Sequence, residues 1–268
     1  MSERMSNAPG FYALAQARFN PVAAMDKYVD QIQDRLRQQG YPLYAPQHIT
    51  HLVIPGSGPA NQVTGPQIQP IVLWLMTRSN RTAGFILAPS AITYHTTHYQ
   101  THDEFISELL RGLTAVHEIV RLDHVARLGL RYLDAILPRP GESVEQYLAG
   151  GLHGIEFNAD RRYTMAESVF TTKEHPLAPS GNLIVRVTRM TARLGFPPDI
   201  SSGGLVMHPR FAEEKIPRDH AIIDTDHYAE GIMPVDRDKL NEQLRSLHTA
   251  IQAVFAATTS DHARAAWA

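Results

Sequence analysis

The chain of 268 residues contains no cysteine, which excludes disulfides, thiolate nucleophiles and cysteine-ligated zinc. Lysine is scarce too, because 21 of the 25 basic residues are arginine. The net charge of −2 leaves no general attraction to nucleic acid or acidic membranes. Only a local role for arginine-rich strands keeps a nucleic-acid accessory function open. No uncharged apolar run approaches the length that spans a bilayer, so no membrane association is expected. Phe11 to Ala17 is too short for a secretory leader and Arg18 interrupts it, which makes a cytoplasmic location the expectation. Phosphate-loop chemistry is missing as well. Gly56-Ser57-Gly58 lacks the lysine and the following helix, and Ser57 sits in no nucleophile elbow. No cofactor is predicted beyond a divalent metal that carboxylates and histidines could hold.

Histidine is abundant by contrast, with 14 copies, roughly twice an ordinary share. Two of them belong to a repeated pattern. Thr96, His98 and Tyr99 match Thr225, His227 and Tyr228 at an offset of 129. In the helical patterns that follow, Leu109, Leu113, Val116, His117 and Val120 match Leu240, Leu244, Leu247, His248 and Ile251 at an offset of 131. The repetition predicts an α+β fold of two pseudo-repeated β-α-β-β-β-α halves, 10–121 and 122–268, in one compact unit. An antiparallel sheet covered on one face by the long helices is the simplest arrangement. The groove between the halves is then the default ligand or partner site.

Local signals place the elements. Phe11–Phe19 alternates as a strand, and Asn20-Pro21 reads as the start of a helix running to Gly40. Gly56–Gly65 is a loop between a strand near Gln47–Ile54 and the apolar strand Ile71–Met76. Arg78–Arg81 predicts a hairpin turn, Ala91–Tyr99 a strand, and Thr101 with Glu104 a capping box. Val125–Leu137, Tyr163–Thr172, Asn182–Thr191, Gly204–Met207 and Ala221–Tyr228 read as further strands. Ser143 with Gln146 makes a second capping box, and Asp236 caps a helix to about Ala257. The heptad-like spacing of Leu240, Leu244, Leu247, Ile251 and Val254 is read as core packing, though it also suits a homodimer seam.

Asp224 and Asp226 are the sharper chemical candidates. At i and i+2 they share one strand face and could hold a divalent cation or act as an acid–base pair. The simpler alternative is a salt bridge to Arg127 and Arg131, which share a face of their own strand. A metal set would add His95 and His98. However, His98 and His117 lie about 22 Å apart along their helix, so any common site must be built across the halves. His98 and His227 are otherwise core-edge imidazoles.

Asn7-Ala8-Pro9, Arg18-Phe19, Gly129-Leu130-Arg131-Tyr132, Asp224–Tyr228, Leu247-His248 and Trp267 together resemble a sporadically distributed, uncharacterised family of bacterial proteins of about this length. The resemblance implies no established activity and carries over no catalytic residue. Patchy distribution implies, by analogy, an accessory of a mobile-element or defence locus. The expectation is thus a non-enzymatic regulatory protein that binds a protein partner or small ligand. A metal-dependent hydrolase using an Asp/Asp/His cluster is the alternative.

Overall fold

Alternation from Tyr12 onward in β1 (Gly10–Phe19) puts Ala13, Ala15 and Ala17 on one side of the strand and Tyr12, Leu14 and Gln16 on the other, while a bulge near its start turns Phe11 to the Tyr12 side, against the expected alternation. Everything else is arranged about this strand. The computed structural model describes residues 7–53, 67–155, 163–172, 177, 180–212 and 216–268. Among them, the remaining strands are β2 (Leu43–Val53), β3 (Gln67–Thr77), β4 (Ala83–Ala88), β5 (Ala91–Thr96), β6 (Val125–Ile136), β7 (Met165–Thr172), β8 (Ser180–Ala192) and β9 (Arg218–Met233). They form one antiparallel sheet in the order β2-β3-β4-β5-β1-β6-β9-β8-β7. The predicted Gly56–Gly65 loop lies outside the described residues.

Three helices pack on the alanine side of β1: α1 (Val29–Gln38), α2 (His102–Val120) and α5 (Arg237–Thr258). Their starts follow local chemistry. The Thr101 hydroxyl accepts from the Glu104 N–H, and the Asp236 carboxylate accepts from the Asp238 and Lys239 N–H groups. The small alanines let α2 approach closely, and Gly112 meets the buried Phe85 there. A Cβ on Gly112 would lie 2.3 Å from Phe85 Cε1. Gly112→Ala is therefore expected to lower stability by about 1–2 kcal/mol, because overpacking outweighs alanine's better helix propensity. A fall in the urea midpoint without a change in slope checks this.

The short helices α3 (Val144–Tyr147) and α6 (Asp261–Trp267) cover the β6–β9–β8 end of the same face. The Ser143–Gln146 capping box that starts α3 is present as predicted. On the opposite face, segment 193–212, with α4 (Pro209–Ala212), lays Leu194, Phe196, Ile200, Met207 and Phe211 over Phe11, Tyr12, Leu133 and Ile222.

The expected two repeated halves are not found. The sheet is a single one, continuous through the β1–β6 pair, where Ala13 opposes Tyr132. Five strands lie on the β1 side of that join and four on the β6 side. The long helices do not by themselves cover one face, since α3 and α6 share it, and the other face is partly covered by segment 193–212. The matched residues occupy unlike places. β5 ends at Thr96, so His98 leaves the sheet, whereas β9 runs on to Met233 and holds His227 inside a strand. Tyr99 packs on Tyr132 at the helical side, while Tyr228 sits under Arg127 on the other. Two further differences are local. The helix expected after Pro21 begins at Val29, behind a single 3-10 turn at Met25–Lys27. Leu205–Met207 is irregular and not a strand, held across the sheet by Val206 N–H to Arg81 O.

Candidate functional site

The four residues singled out from the sequence, Arg127, Arg131, Asp224 and Asp226, meet on the face of the sheet opposite the long helices. Register brings them there: Arg131 opposes Asp226, and Leu133 opposes Asp224. They form two unequal pairs.

Arg131 is saturated. Its Nε and Nη2 each donate to Asp224 at 2.7 Å, and Nη1 donates to Asp199 at 2.6 Å. Burial alone would lower the Arg131 pKa, but the hydrogen bonds to Asp224 and Asp199 outweigh it and hold the guanidinium above its usual value. Asp224 is 4% exposed and also faces Arg186 at 3.9 Å. Arg186 in turn donates to Glu167 on β7. Asp199 belongs to segment 193–212, so this cluster ties that segment to the sheet.

The second pair is left unfinished. Arg127 Nη2 is 4.0 Å from Asp226 Oδ2, and Arg127 Nε is 3.6 Å from Glu230 Oε1. Neither distance is a hydrogen bond. Nε is buried and has no hydrogen-bond partner among the described residues. Burial raises the Asp226 pKa, against the opposing pull of Arg127. The Arg127 guanidinium lies 4.0 Å from the centre of the Tyr228 ring, and Asn182 Nδ2 donates to the Tyr228 hydroxyl at 2.8 Å. Gln16 Oε1 is 3.5 Å from Arg127 Nη1, and Gln16 Nε2 donates to Thr93 Oγ1. Gly129, between Gln16 and Tyr228 in the register, leaves the floor of this patch without a side chain. Sequence spacing had not signalled Gln16, Tyr228 or Glu230 as members, because only the register of β1, β6 and β9 gathers them.

The histidines do not join the aspartates. His95 shares the outer face, but β1 and β6 stand between it and Asp226, about 14 Å by strand spacing. It is fully buried under Gly203, whose φ is +58° and whose Cβ would meet His95 Cε1 at 2.9 Å. Burial holds its pKa down at about 4, and Nδ1 lies 3.1 Å from Tyr12 Oη. His98 is beyond the strand, with Nδ1 3.0 Å from Thr97 Oγ1 and its ring 4.7 Å from His208. His227 points to the helices, with Nδ1 3.0 Å from Leu247 O. Among the described residues no three histidine, aspartate or glutamate side chains converge as metal ligands.

A cleft of about 250 Å³ opens beside the first turn of α2, lined by Arg78, Thr82, Tyr94, His98, Tyr99 and Glu104. Its cation is engaged from within: Arg78 lies 3.8 Å from Glu108, which also takes Arg111 at 3.1 Å and a hydrogen bond from Tyr41 at 2.6 Å.

No family model matches the chain, no curated protein is similar to it, and no solved structure matches it. Function must therefore be argued from these residues. Among the described residues no helix is long and apolar enough to cross a membrane.

Proposed function

We propose that the protein is a binding protein whose outer sheet face, around Arg127, Asp226 and Tyr228, receives a protein partner. One observation carries this. On a face where Arg131 and Asp224 satisfy each other completely, Arg127 and Asp226 sit 4.0 Å apart with a donor and a carboxylate unspent. Arg127 Nη1 donates to Gln16 Oε1, but its buried Nε and the Asp226 carboxylate have no hydrogen bond among the described residues, and partly buried polar groups left in that state are costly to keep in a fold. A partner that lays an acceptor on Arg127 and a donor on Asp226 removes that cost and gains charge-assisted bonds. Both signs occur within one patch, which suits a mixed-charge protein surface better than a polyanion. The aromatic face of Tyr228 beneath the guanidinium adds the arginine–aromatic pairing common at interface centres. Catalysis receives no comparable support, since the histidines that a hydrolase would need lie elsewhere.

Arg127→Glu reverses the patch while the Arg131–Asp224 pair keeps the fold. Expressed with an affinity tag in its natural host, the wild-type protein should retain a stoichiometric partner that Arg127→Glu loses. Glu242→Arg, a charge change of equal size and opposite sign on the exposed side of α5, should retain it. Equal retention by all three proteins would place the partner elsewhere.

A further inference from the structure

The cleft of about 250 Å³ beside α2 is walled by two segments of opposite hydrogen-bonding character. One wall is the β3–β4 turn, closed by the Arg81 N–H donating to Arg78 O at 2.9 Å. It presents donors. Arg78 Nη2 is turned inward, 3.4 Å from Tyr41 Oη and 3.8 Å from Glu108, both buried. Its Nε and Nη1 meet no acceptor among the described residues, and the side chain is 35% exposed. Asn80 Oδ1 takes both the N–H and the hydroxyl of Thr82, at 3.1 and 2.9 Å, which fixes the amide and leaves its NH₂ group unspent.

The other wall is the connection from β5 into α2, and it presents acceptors. The Thr97 hydroxyl donates to Val206 O at 2.6 Å, so its oxygen receives the proton on His98 Nδ1. That leaves His98 Nε2 as a lone-pair acceptor. Burial, together with His208 beside it, lowers the His98 pKa and keeps the ring neutral. Glu104, in the first turn of α2, is exposed, and its carboxylate meets no donor among the described residues. The buried rings of Tyr94 and Phe105 complete the lining.

We propose that this cleft binds a small zwitterion, an α-amino acid whose carboxylate meets Arg78 and Asn80 and whose ammonium meets Glu104 and His98. Neither charge alone suits it. A simple anion would satisfy Arg78 but face the Glu104 carboxylate, and a simple cation would face Arg78. The planar fork of an arginine matches a carboxylate, and an ammonium offers three donors to the acceptors opposite. At about 30 Å³ per water the cleft has room for roughly eight waters, the bulk of one amino acid and not of a peptide. No residue of the Arg127 patch takes part, so the cleft stands or falls independently of the partner surface.

Calorimetric titration of the full chain with glycine, L-alanine, L-serine, L-leucine and L-phenylalanine in turn tests the assignment. At least one should bind saturably, in the millimolar range or tighter. Its amide, which lacks the carboxylate, and its deaminated acid, which lacks the ammonium, should each bind at least tenfold more weakly. Glu104→Gln, a change at an exposed side chain, should weaken the amino acid at least tenfold and leave the deaminated acid no weaker. Arg78→Gln should weaken the amino acid as much and leave the amide no weaker, whereas Arg127→Glu on the outer face should change neither. No saturable binding of any of these amino acids, equal binding of the amide or the deaminated acid, or equal binding by Glu104→Gln would each overturn the site.

Discussion

Replacing Arg131 with methionine is expected to cost the fold about 3–5 kcal/mol, toward the lower end of that range. The substitution leaves Asp224, 4% exposed, without the two hydrogen bonds that hold its charge. Arg186, 3.9 Å away, recovers part of the loss but is already engaged by Glu167. Asp199 loses its partner too. Its side chain is 60% exposed, so water replaces that bond at little cost. Removing both ends of the buried pair should be far milder. Arg131→Met with Asp224→Leu puts apolar groups where the ions were, and such exchanges are often close to neutral. Guanidinium melts of the two single variants and the double variant read the coupling directly. A single variant as stable as wild type would mean that Arg131 and Asp224 do not depend on each other.

Asp134→Asn should do the opposite and raise stability, by about 2–3 kcal/mol at pH 8, which corresponds to roughly 5 °C in a chain of this size. Burial pushes the Asp134 carboxyl up to about 7, and the sign follows from that raised pKa. Between the unfolded carboxyl's pKa, near 4, and the folded value of about 7, the folded state holds a proton that the unfolded chain has released. Stability from this group is therefore present below pH 4 and is lost as pH rises through 7. His95 and His248 act in the other direction. Their folded pKa values of about 4 lie below the ordinary 6.5, so their contribution is whole above 6.5 and disappears as pH falls toward 4. In wild type Asp134 offsets part of that acid loss. Asp134→Asn should then be more stable at pH 8, and its thermal midpoint should drop more steeply between pH 7 and pH 4. Parallel melting curves for the two proteins across pH would contradict the shifted carboxyl.

What the sequence made legible was local. The Ser143–Gln146 capping box and the Asp236 cap each depend on residues a few positions apart, and each stands as expected, whereas the alternation read over Phe11–Phe19 holds only from Tyr12 onward, because a bulge turns Phe11 to the Tyr12 side. The pairing of an Asp224-containing strand with Arg131 was also accessible, because opposite charges on facing strands seek register. The strand order was not. Joining β1 to β6 and carrying β9 to Met233 depend on contacts between distant segments that no spacing encodes. That is why the Thr-His-Tyr repeat misled: identical residues fall at the end of β5 and in the middle of β9, and the strand ends decide which face they take. Segment 193–212 shows no regular period beyond one four-residue helix, so its course over the outer face could not be foreseen. Asp134 sits between these cases. The alternation that sets Arg127 and Arg131 on one face sets Asp134 with Leu128, Leu130 and Tyr132 on the other. The acid on an apolar face is visible in the sequence, whereas its lack of a partner is visible only in the fold.

The binding surface is tested most directly by site-specific photocrosslinking in the natural host. A benzoylphenylalanine at Ile184 or Arg18, both on the outer face around the Arg127 patch, should give one discrete adduct of the same mass. The same residue at Glu242 on α5 should give none of that mass, and adding Arg127→Glu should abolish the outer-face adduct. Adducts that form equally from α5, or that survive Arg127→Glu, would show that the outer sheet face is not where this protein meets its partner.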